Sequence, residues 1–357
     1  MKIIHTGDVH LGSSFHNLAK EKSRIRRVEL LDGFTRLCAY AKDSQVSAVI
    51  IAGDLFDGND APSYIKKQAL NAIASASPVR FFYVSGNHDD EFGQTDLPAN
   101  LFLFSKNHAW QSYALEEGVT ISGMDTKNTS AQTLSALRLT ENTFNIVALH
   151  GDINGSGKDC IDLRLLQNKG VDYIALGHIH KPDLERNRLD GRTSYRYCGC
   201  LEGRGFDEIG ERGFFLLEIE NGRIVGEKFL SFAGRTVREA RVDISACNSY
   251  FEVESAVLNA LTKISVNDMV KITLCGTVSP KLRKDQSLLT KRLGQRLFHI
   301  KIVDESRIRF QATDFENDSS ERGEFVKEVG RYAMNEKQRA EILEIGLKAL
   351  AGEEIDL

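Results

Sequence analysis

Short apolar runs alternate with longer amphipathic stretches over about the first two thirds of the chain. Lys2 to Thr6 predicts one short strand, and the continuous apolar run from Ala48 to Ala52 predicts a second, buried one. Between them, apolar residues recur at three-residue steps, which predicts a helix. The residues of this stripe are Ile25, Val28, Leu31, Phe34, Leu37 and Tyr40.

The same alternation continues beyond the second strand. A helix is expected over about Tyr64 to Ala76, because Pro78 follows and cannot continue it. Further strands are expected at Val79 to Val84, Asn145 to Leu149 and Tyr173 to Leu176. Strands that alternate with helices predict an α/β domain, here over residues 1–232.

From about residue 235 the order of elements changes, and we expect a small α/β capping domain over residues 235–305. Its elements are expected to be a strand (Ala240 to Ile244), a helix (Glu252 to Ile264), a strand (Met269 to Leu274), a helix (Gln286 to Leu297) and a strand (His299 to Val303).

The last segment, residues 306–357, is rich in charge and is expected to be helical. Two helices are predicted, Glu321 to Met334 and Glu336 to Ala351, with a start signal at Asn-Glu between them. The second helix has an apolar stripe, which is explained either by a partner protein or by packing on the chain's own domain. The stripe consists of Ile342, Ile345, Leu347 and Leu350.

Composition adds few constraints to this picture. The chain has 357 residues, 41% of them hydrophobic and 27% charged, as in an ordinary globular protein. It lacks a run long enough for a membrane span or a secretory signal, so a cytoplasmic location without membrane attachment is expected. The six dispersed cysteines are expected to be reduced thiols. A net charge of −4 means that any DNA-binding surface must be local.

Candidate chemistry lies where five predicted strands end. The motifs are TGDVHLG, AGDLFDG, SGNHDD, LHGD and LGHIH. Ligands of open α/β sheets bind at the carboxyl edge of the strands, so these side chains are expected to converge. Five of the nine histidines fall within the motifs, which favours a metal site over chance. The candidate metal ligands are Asp8, His10, Asp54, Asn87, His150, His178 and His180.

This set of side chains suits two divalent cations that hydrolyse a phosphate ester. Asp54 has two oxygens with which to bridge the ions, and Asn87 adds a neutral oxygen. Two ions about 3.5 to 4 Å apart can activate a water and offset charge on the attacking and leaving oxygens. His88 is left over from the ligands and is the candidate proton donor to the leaving oxygen. Manganese is expected, with iron and zinc as alternatives.

The combination D-x-H, GD, GNHD, H and GHxH resembles the calcineurin-like metallophosphoesterases. That resemblance implies a four-layer α/β/β/α sandwich. It also implies one metal on Asp8, His10 and His180. A second metal is implied on Asn87, His150 and His178, with Asp54 bridging and His88 as the acid.

Within that family, GDVHLG, AGDLFD and LGHIHKP look most like the SbcD-type DNA repair exonucleases. This resemblance implies DNA as substrate and an SMC-like coiled-coil ATPase as partner, bound by the C-terminal segment; a homodimer is a further expectation. One departure is Asp57, where the nuclease branch often carries histidine. Asp57 is expected to contact substrate through water or to repel a phosphate, which puts endonuclease activity in doubt.

The remaining candidate substrate contacts are cationic. Arg204 and Arg212 lie in a glycine-rich segment and are expected either to touch phosphate or to form surface salt bridges. A basic patch over 281–301 could follow a phosphate backbone, although a solvated basic helix has the same composition. It contains Lys281, Arg283, Lys284, Lys291, Arg292, Arg296 and Lys301.

Three functions fit these motifs. The first is a manganese-dependent DNA exonuclease subunit. A phosphatase or phosphodiesterase on small molecules or cyclic nucleotides would use the same centre, but the additional module after residue 235 argues against it. A DNA-end-binding scaffold with weak catalysis is the third, and the presence of His88 and Asp54 argues against that one.

Overall fold

The computed structural model describes residues 1–58, 61–89, 96–104, 110–155, 157, 159–279, 282–308 and 318–351. The chain divides into two units, Met1–Val237 and Arg238–Leu357. The division expected from the sequence, with a third segment from residue 306, stays a prediction.

The first unit contains two six-stranded sheets. Its strands are β1 (Lys2–Thr6), β2 (Ala48–Ala52), β3 (Arg80–Val84), β4 (Leu101–Leu103), β5 (Gln111–Ala114), β6 (Val119–Gly123), β7 (Phe144–His150), β8 (Tyr173–Gly177), β9 (Asn187–Arg188), β10 (Ser194–Tyr197), β11 (Gly213–Glu220) and β12 (Arg223–Ser231). Its helices are α1 (Lys20–Asp43), α2 (Ser63–Ser75) and α3 (Ala131–Ser135).

Both sheets have a parallel centre. The first has the order β12-β11-β1-β2-β3-β4, with β1 to β4 parallel and β11 and β12 antiparallel. The second has the order β5-β6-β7-β8-β10-β9, with β6, β7, β8 and β10 parallel. Parallel strands that are covered on both faces read as continuous apolar runs, which is why the sequence revealed β2, β7 and β8.

The core of this unit lies on three faces of the two sheets. Side chains of both sheets, such as Ile50 and Ile146, share one buried cluster. Phe34 of α1 and Ile73 of α2 pack with Val49 on the other face of the first sheet. On the outer face of the second sheet, Leu134 of the short helix α3 joins a cluster with strand residues. The expected α/β class is confirmed.

The apolar stripe expected on α1 is wrong at its beginning. Ile25 is 46% exposed and Val28 is 67% exposed. Three residues turn a helix by about 300°, so a strict three-residue repeat drifts by about 60° per step and winds around the helix. The buried face instead follows mixed steps, and it consists of Ser23, Arg26, Leu30, Gly33, Phe34, Leu37, Cys38 and Ala41.

The second unit is a smaller α/β structure. Its elements are β13 (Val237–Asp243), α4 (Tyr250–Ala260), β14 (Met269–Cys275), β15 (Thr277–Val278), α5 (Gln286–Leu293), β16 (His299–Asp304), β17 (Arg307–Ile308), α6 (Glu321–Arg331) and α7 (Glu336–Ala351). The strands form a three-stranded sheet, β13-β14-β16, and a separate pair, β15-β17. Helices α4 and α5 bury Val257 and Leu289 in the cluster of the larger sheet.

Several helix ends in this unit differ from the expected ones. Helix α4 begins earlier because the Ser249 side chain accepts a hydrogen bond from the Glu252 N–H. Helix α5 ends at Leu293, four residues before the expected end, and Gly294 caps it. Glycine is a poor helix former, which explains the early stop. The start of α7 follows the expected signal, since Asn335 Oδ1 accepts from Gln338 N.

Two expectations from composition can be compared with the structure. Each of the six cysteines is a free thiol. Cys198 and Cys200 are buried and follow β10 directly. Across the described ranges, every helix is too short or too polar to cross a lipid bilayer.

Candidate metal centre

The five predicted strand ends belong to β1, β2 and β3 of the first sheet and to β7 and β8 of the second. The loops that follow these strands are joined by backbone hydrogen bonds. Asp8 N donates to Gly53 O at 3.0 Å, and His10 N donates to Asp54 O at 2.9 Å. Across the two sheets, His178 N donates to both carboxylate oxygens of Asp8 at 3.0 Å. The carboxyl ends of both sheets therefore form one edge.

A first group of candidate ligands consists of Asp8, His10 and His180. One donor atom from each lies within 4.8 Å of the others. His10 Nε2 and His180 Nε2 are 3.2 Å apart. Asp8 and His10 are buried, and His180 is partly exposed. The two imidazoles thus direct the same type of nitrogen toward a common point.

A second group consists of Asn87, His150 and His178. Asn87 Oδ1 is 2.9 Å from His150 Nε2 and 3.3 Å from His178 Nδ1. His150 is buried and its Nδ1 is 2.9 Å from Ala52 O. If Nδ1 donates to that carbonyl, the lone pair of Nε2 faces the group.

Asp54 lies between the two groups. Its Oδ2 is 3.6 Å from His10 Nε2 and 3.5 Å from His150 Nε2, and its Oδ1 accepts a hydrogen bond from His88 N at 2.9 Å. The carboxylate is therefore almost equally distant from one imidazole of each group. This is the position that a bridging ligand requires.

The backbone at these residues is unusual. Asp8, His10 and Asp54 have φ values of 48°, 49° and 47°, in the left-handed region. Such sharp turns send the side chains out of the sheet edge at the cost of local strain. Gly53 has a φ of 90°, and a Cβ there would lie 2.1 Å from His150 Nδ1, so only glycine lets β2 approach this imidazole.

Burial shifts the pKa values of several side chains of the site. Burial raises the pKa of Asp8 well above its usual range, and the nearby Asp54 carboxylate adds to this effect. Burial lowers the pKa of His150 to about 4 and also lowers that of His10. His10 and His150 are therefore neutral near pH 7, with lone pairs available to a metal. Two buried carboxylates in one site are best stabilised by cations, so the donor set fits a divalent metal centre.

Two further carboxylates contact the outer nitrogens of histidines in the first group. Glu208 Oε1 is 2.7 Å from His180 Nδ1, and Asp57 Oδ1 is 3.3 Å from His10 Nδ1. Glu208 was missed at the sequence level, because it lies far along the chain, in a glycine-rich segment that has no ligand motif. Arg204 donates to Glu208 through its backbone N–H and its guanidinium. Asp57 and Arg204 thus both face the histidines.

His88 lies at the exposed side of the centre. Its side chain is 52% exposed, and its Nδ1 is 3.9 Å from Asp57 Oδ1. Its ring centroid is 5.2 Å from that of His10. The next residue, Asp89, is buried and accepts hydrogen bonds from Phe56 N and Gly86 N, which fixes the loop. His88 therefore reaches solvent from a fixed loop.

The cationic residues predicted to contact substrate differ in their burial and in their ion pairs. Arg212 is buried, so the surface-salt-bridge interpretation is wrong for it. In the second unit, Lys284 pairs with Asp304 at 2.6 Å and Arg292 pairs with Glu254 at 2.7 Å. Lys281 lies outside the described residues. The exposed cations of this patch are Arg283, Lys291, Arg292, Arg296 and Lys301.

Comparison with known proteins gives relatives with low sequence identity. The chain is 27% identical over 308 residues to an uncharacterized metallophosphoesterase, YhaO, of Bacillus subtilis, covering 78% of this chain and 72% of that protein. It is 25% identical over 275 residues to SbcD, a component of the nuclease SbcCD of Escherichia coli, covering 63% and 66%. It is 26% identical over 263 residues to the DNA double-strand break repair protein Mre11 of Methanopyrus kandleri, covering 64% and 56%. The chain thus spans slightly more than half of the length of this Mre11.

A solved structure is also similar. A dimetal phosphatase from Danio rerio aligns with a TM-score of 0.42 at 12% identity, over 65% of this chain and 99% of that one. The family model for the calcineurin-like phosphoesterases matches residues 1–182, just over half of the chain, and this segment contains all seven candidate ligands and His88. The chain therefore belongs to the calcineurin-like phosphoesterase family and is a metal-dependent phosphoesterase.

Proposed function

We propose that this phosphoesterase is a two-metal phosphodiester hydrolase that acts as a DNA exonuclease subunit. The observation that carries the two-metal proposal is the position of Asp54 Oδ2, 3.6 Å from His10 Nε2 and 3.5 Å from His150 Nε2, between two ligand groups. Support for DNA as substrate comes from the relatives that are named as nuclease or DNA repair proteins.

The proposed ligand sets follow the two groups. Asp8, His10 and His180 would hold one ion, and Asn87, His150 and His178 would hold the other. Asp54 would be shared between the two ions, which would leave room for a phosphodiester and a water. When bound, two divalent cations would lower the pKa of that water and offset negative charge on the ester. Manganese is the proposed metal, since carboxylate, amide and imidazole ligands suit it.

His88 is proposed to protonate the leaving oxygen. Its ring is exposed beside the ligands and can approach a substrate at the open side of the centre. In this scheme the water oxygen bonds to phosphorus and its proton is released to solvent. The phosphorus–oxygen bond to the leaving sugar breaks, and the proton from His88 neutralises the departing alkoxide.

The second unit is proposed to contact DNA and a partner. Arg283, Lys291 and Arg296 are exposed, and they can follow a phosphate backbone. On α7, Leu343 and Leu347 are buried against Val326 and Val329 of α6. The partner proposed for this segment is an SMC-like coiled-coil ATPase, and the apolar residues of α7 that remain exposed are Ile342, Ile345 and Leu350.

The test is digestion of linear duplex DNA by the purified full chain with Mn²⁺, compared with single-stranded DNA and with a small synthetic diester. We expect shortening of the duplex from its ends that stops when a chelator is added. Faster turnover of the small diester, with intact DNA, would instead identify a small-molecule phosphodiesterase. Intact DNA and intact diester under all metals would contradict a hydrolase.

A further inference from the structure

Behind the first ligand group lies a chain of hydrogen bonds between charged and polar side chains. Ser13 Oγ donates to Asp57 Oδ2 at 2.9 Å, and Arg204 Nη1 donates to Ser13 Oγ at 3.3 Å. Arg204 also donates to Glu208 Oε1 from Nη2 at 3.1 Å and to Oε2 from its backbone N–H at 2.6 Å. The network therefore runs without interruption from His10 to His180.

Each end of this network fixes one imidazole. Asp57 Oδ1 lies 3.3 Å from His10 Nδ1, and Glu208 Oε1 lies 2.7 Å from His180 Nδ1. A carboxylate can only accept, so each outer nitrogen carries the proton and each Nε2 keeps its lone pair for a metal. Arg204 Nη2 is also 3.1 Å from His180 Nδ1, but an arginine can only donate, so this contact does not select the metal-binding tautomer.

Among the described residues, no carboxylate is hydrogen-bonded to an outer nitrogen of the second ligand group; Asp8 Oδ1 lies 3.8 Å from His150 Nδ1, beyond hydrogen-bond distance. His150 Nδ1 faces the neutral carbonyl of Ala52 at 2.9 Å, and Asn87 itself is a neutral ligand. A carboxylate hydrogen-bonded to the outer nitrogen of a histidine orients the ring and raises its basicity, and losing such a contact typically costs about 10- to 100-fold in metal affinity.

We infer that Asp57 and Glu208 are paired positioning residues that make the first metal site the tighter of two unequal sites. The inference rests on the ligand sets proposed above. It gives Asp57 a role toward the metal rather than toward the substrate. Within the network, the Arg204 guanidinium donates to Ser13 and Glu208 with three of its five N–H groups.

The experiment is a calorimetric titration of Mn²⁺ into the chelator-treated full chain. We expect two equivalents of unequal affinity in the unmodified protein. Glu208→Gln and Asp57→Asn keep the shape and an acceptor oxygen but remove the charge. Each is expected to weaken the tighter site by about 10- to 100-fold and to leave the other site within about twofold. At one equivalent, electron paramagnetic resonance should show the spectrum of an isolated Mn²⁺ ion in the unmodified chain.

The matched control is Glu202→Gln. Glu202 is a buried carboxylate of the same segment, but it accepts from Gly234 N and Arg36. This variant should leave both metal affinities unchanged. The unfolding midpoints of the metal-free variants show whether a substitution has destabilised the fold. If either Glu208→Gln or Asp57→Asn fails to fold, the metal affinities of the other variant still test the inference.

Four outcomes would overturn the inference. Two of them are equal Mn²⁺ affinities of the two sites in the unmodified chain and equal weakening of both sites in the variants. The third is unchanged affinity in both variants. The fourth is a third bound equivalent in the unmodified chain that Asp57→Asn loses. The last outcome would show that His10, Asp57 and His88, whose donor atoms also lie within 4.8 Å of one another, hold an ion of their own. Because the titration involves no DNA, its failure is distinguishable from failure of the proposed nuclease activity.

Discussion

At the scale of single residues, His88 separates metal binding from catalysis. Its ring is half exposed, and its backbone N–H, which any residue would retain, bonds to Asp54. We expect His88→Ala to keep both metal ions and to lower kcat by about 10²- to 10⁴-fold, because only the proton donor is lost. Metal analysis of the purified variant and single-turnover cleavage of the preferred substrate would measure the two effects.

The control for this variant is His16→Ala. His16 is an exposed histidine that contacts Ser14 and belongs to neither ligand group. Its removal should change neither metal content nor cleavage. Loss of an ion in His88→Ala would mean that His88 is a ligand, and normal cleavage would mean that another group supplies the proton.

At the scale of elements, His5 of β1 joins the two sheets through a buried contact. It is fully buried; its Nδ1 lies 2.9 Å from the hydroxyl of Tyr173 in β8, and its Nε2 lies 3.1 Å from Leu176 O. A neutral ring satisfies both partners if Nε2 donates to the carbonyl and Nδ1 accepts from the hydroxyl. Burial lowers the pKa of His5 from 6.5 to about 3, with a smaller contribution from Arg196.

This contact predicts acid sensitivity of the fold. The unfolded chain takes up a proton at His5 below pH 6.5 while the folded chain does not, so stability is complete above pH 6.5 and falls as the pH drops toward 3. Over this range the free energy of unfolding falls by up to about 1.4 kcal/mol per pH unit.

His5→Gln removes the titration and keeps a donor and an acceptor. Urea unfolding of the metal-free chain at several pH values should therefore give a shallower decrease for His5→Gln than for the unmodified chain. Parallel curves would show that other groups cause the acid sensitivity.

The sequence predicted best those elements whose pattern of apolar residues follows a strict rule. Strands such as β2 are continuous apolar runs. The rule that parallel strands present ligands at their carboxyl ends was sufficient to group Asp8, Asp54 and His150 from the amino-acid sequence alone. Distances and tautomers did not follow from this rule. They depend on how loops from two sheets meet, as with His178 N and Asp8.

Other features depended on contacts that the sequence does not encode locally. Glu208 follows His180 by 28 residues, and only the fold places it 2.7 Å from that imidazole. The exposed positions Ile25 and Val28 look like core residues in the sequence. The apolar stripe on α7 divides in the structure, since Leu347 packs on α6 whereas Ile342 stays exposed.

At the scale of the whole molecule, the exposed side of α7 is the surface to which we propose that the ATPase binds. Ile342 is 43% exposed and Ile345 is 37% exposed, although both are large and apolar. We expect the double variant Ile342→Glu and Ile345→Glu to fold normally and to lose binding to a coiled-coil ATPase by at least about tenfold, because charges would be buried in the interface. Co-purification with a coiled-coil ATPase of the same organism, followed by affinity measurement, would test this.

The control for the assembly is Val266→Glu, a change at an exposed apolar residue elsewhere in the second unit. It should not affect binding. Equal affinity of the double variant and the unmodified chain would show that this side of α7 does not bind the ATPase. Soluble aggregates of the double variant alone would show that the stripe is needed for folding.

The left-handed backbone at Asp8, His10 and Asp54 has a consequence for the evolution of this chain. Each such residue costs about 1 kcal/mol relative to glycine, and the folded chain carries that cost whether or not a metal is bound. In a lineage that no longer needs the metal, binding would no longer offset that strain. We expect substitutions that relax the backbone at these turns to be tolerated there, while the two sheets around them persist.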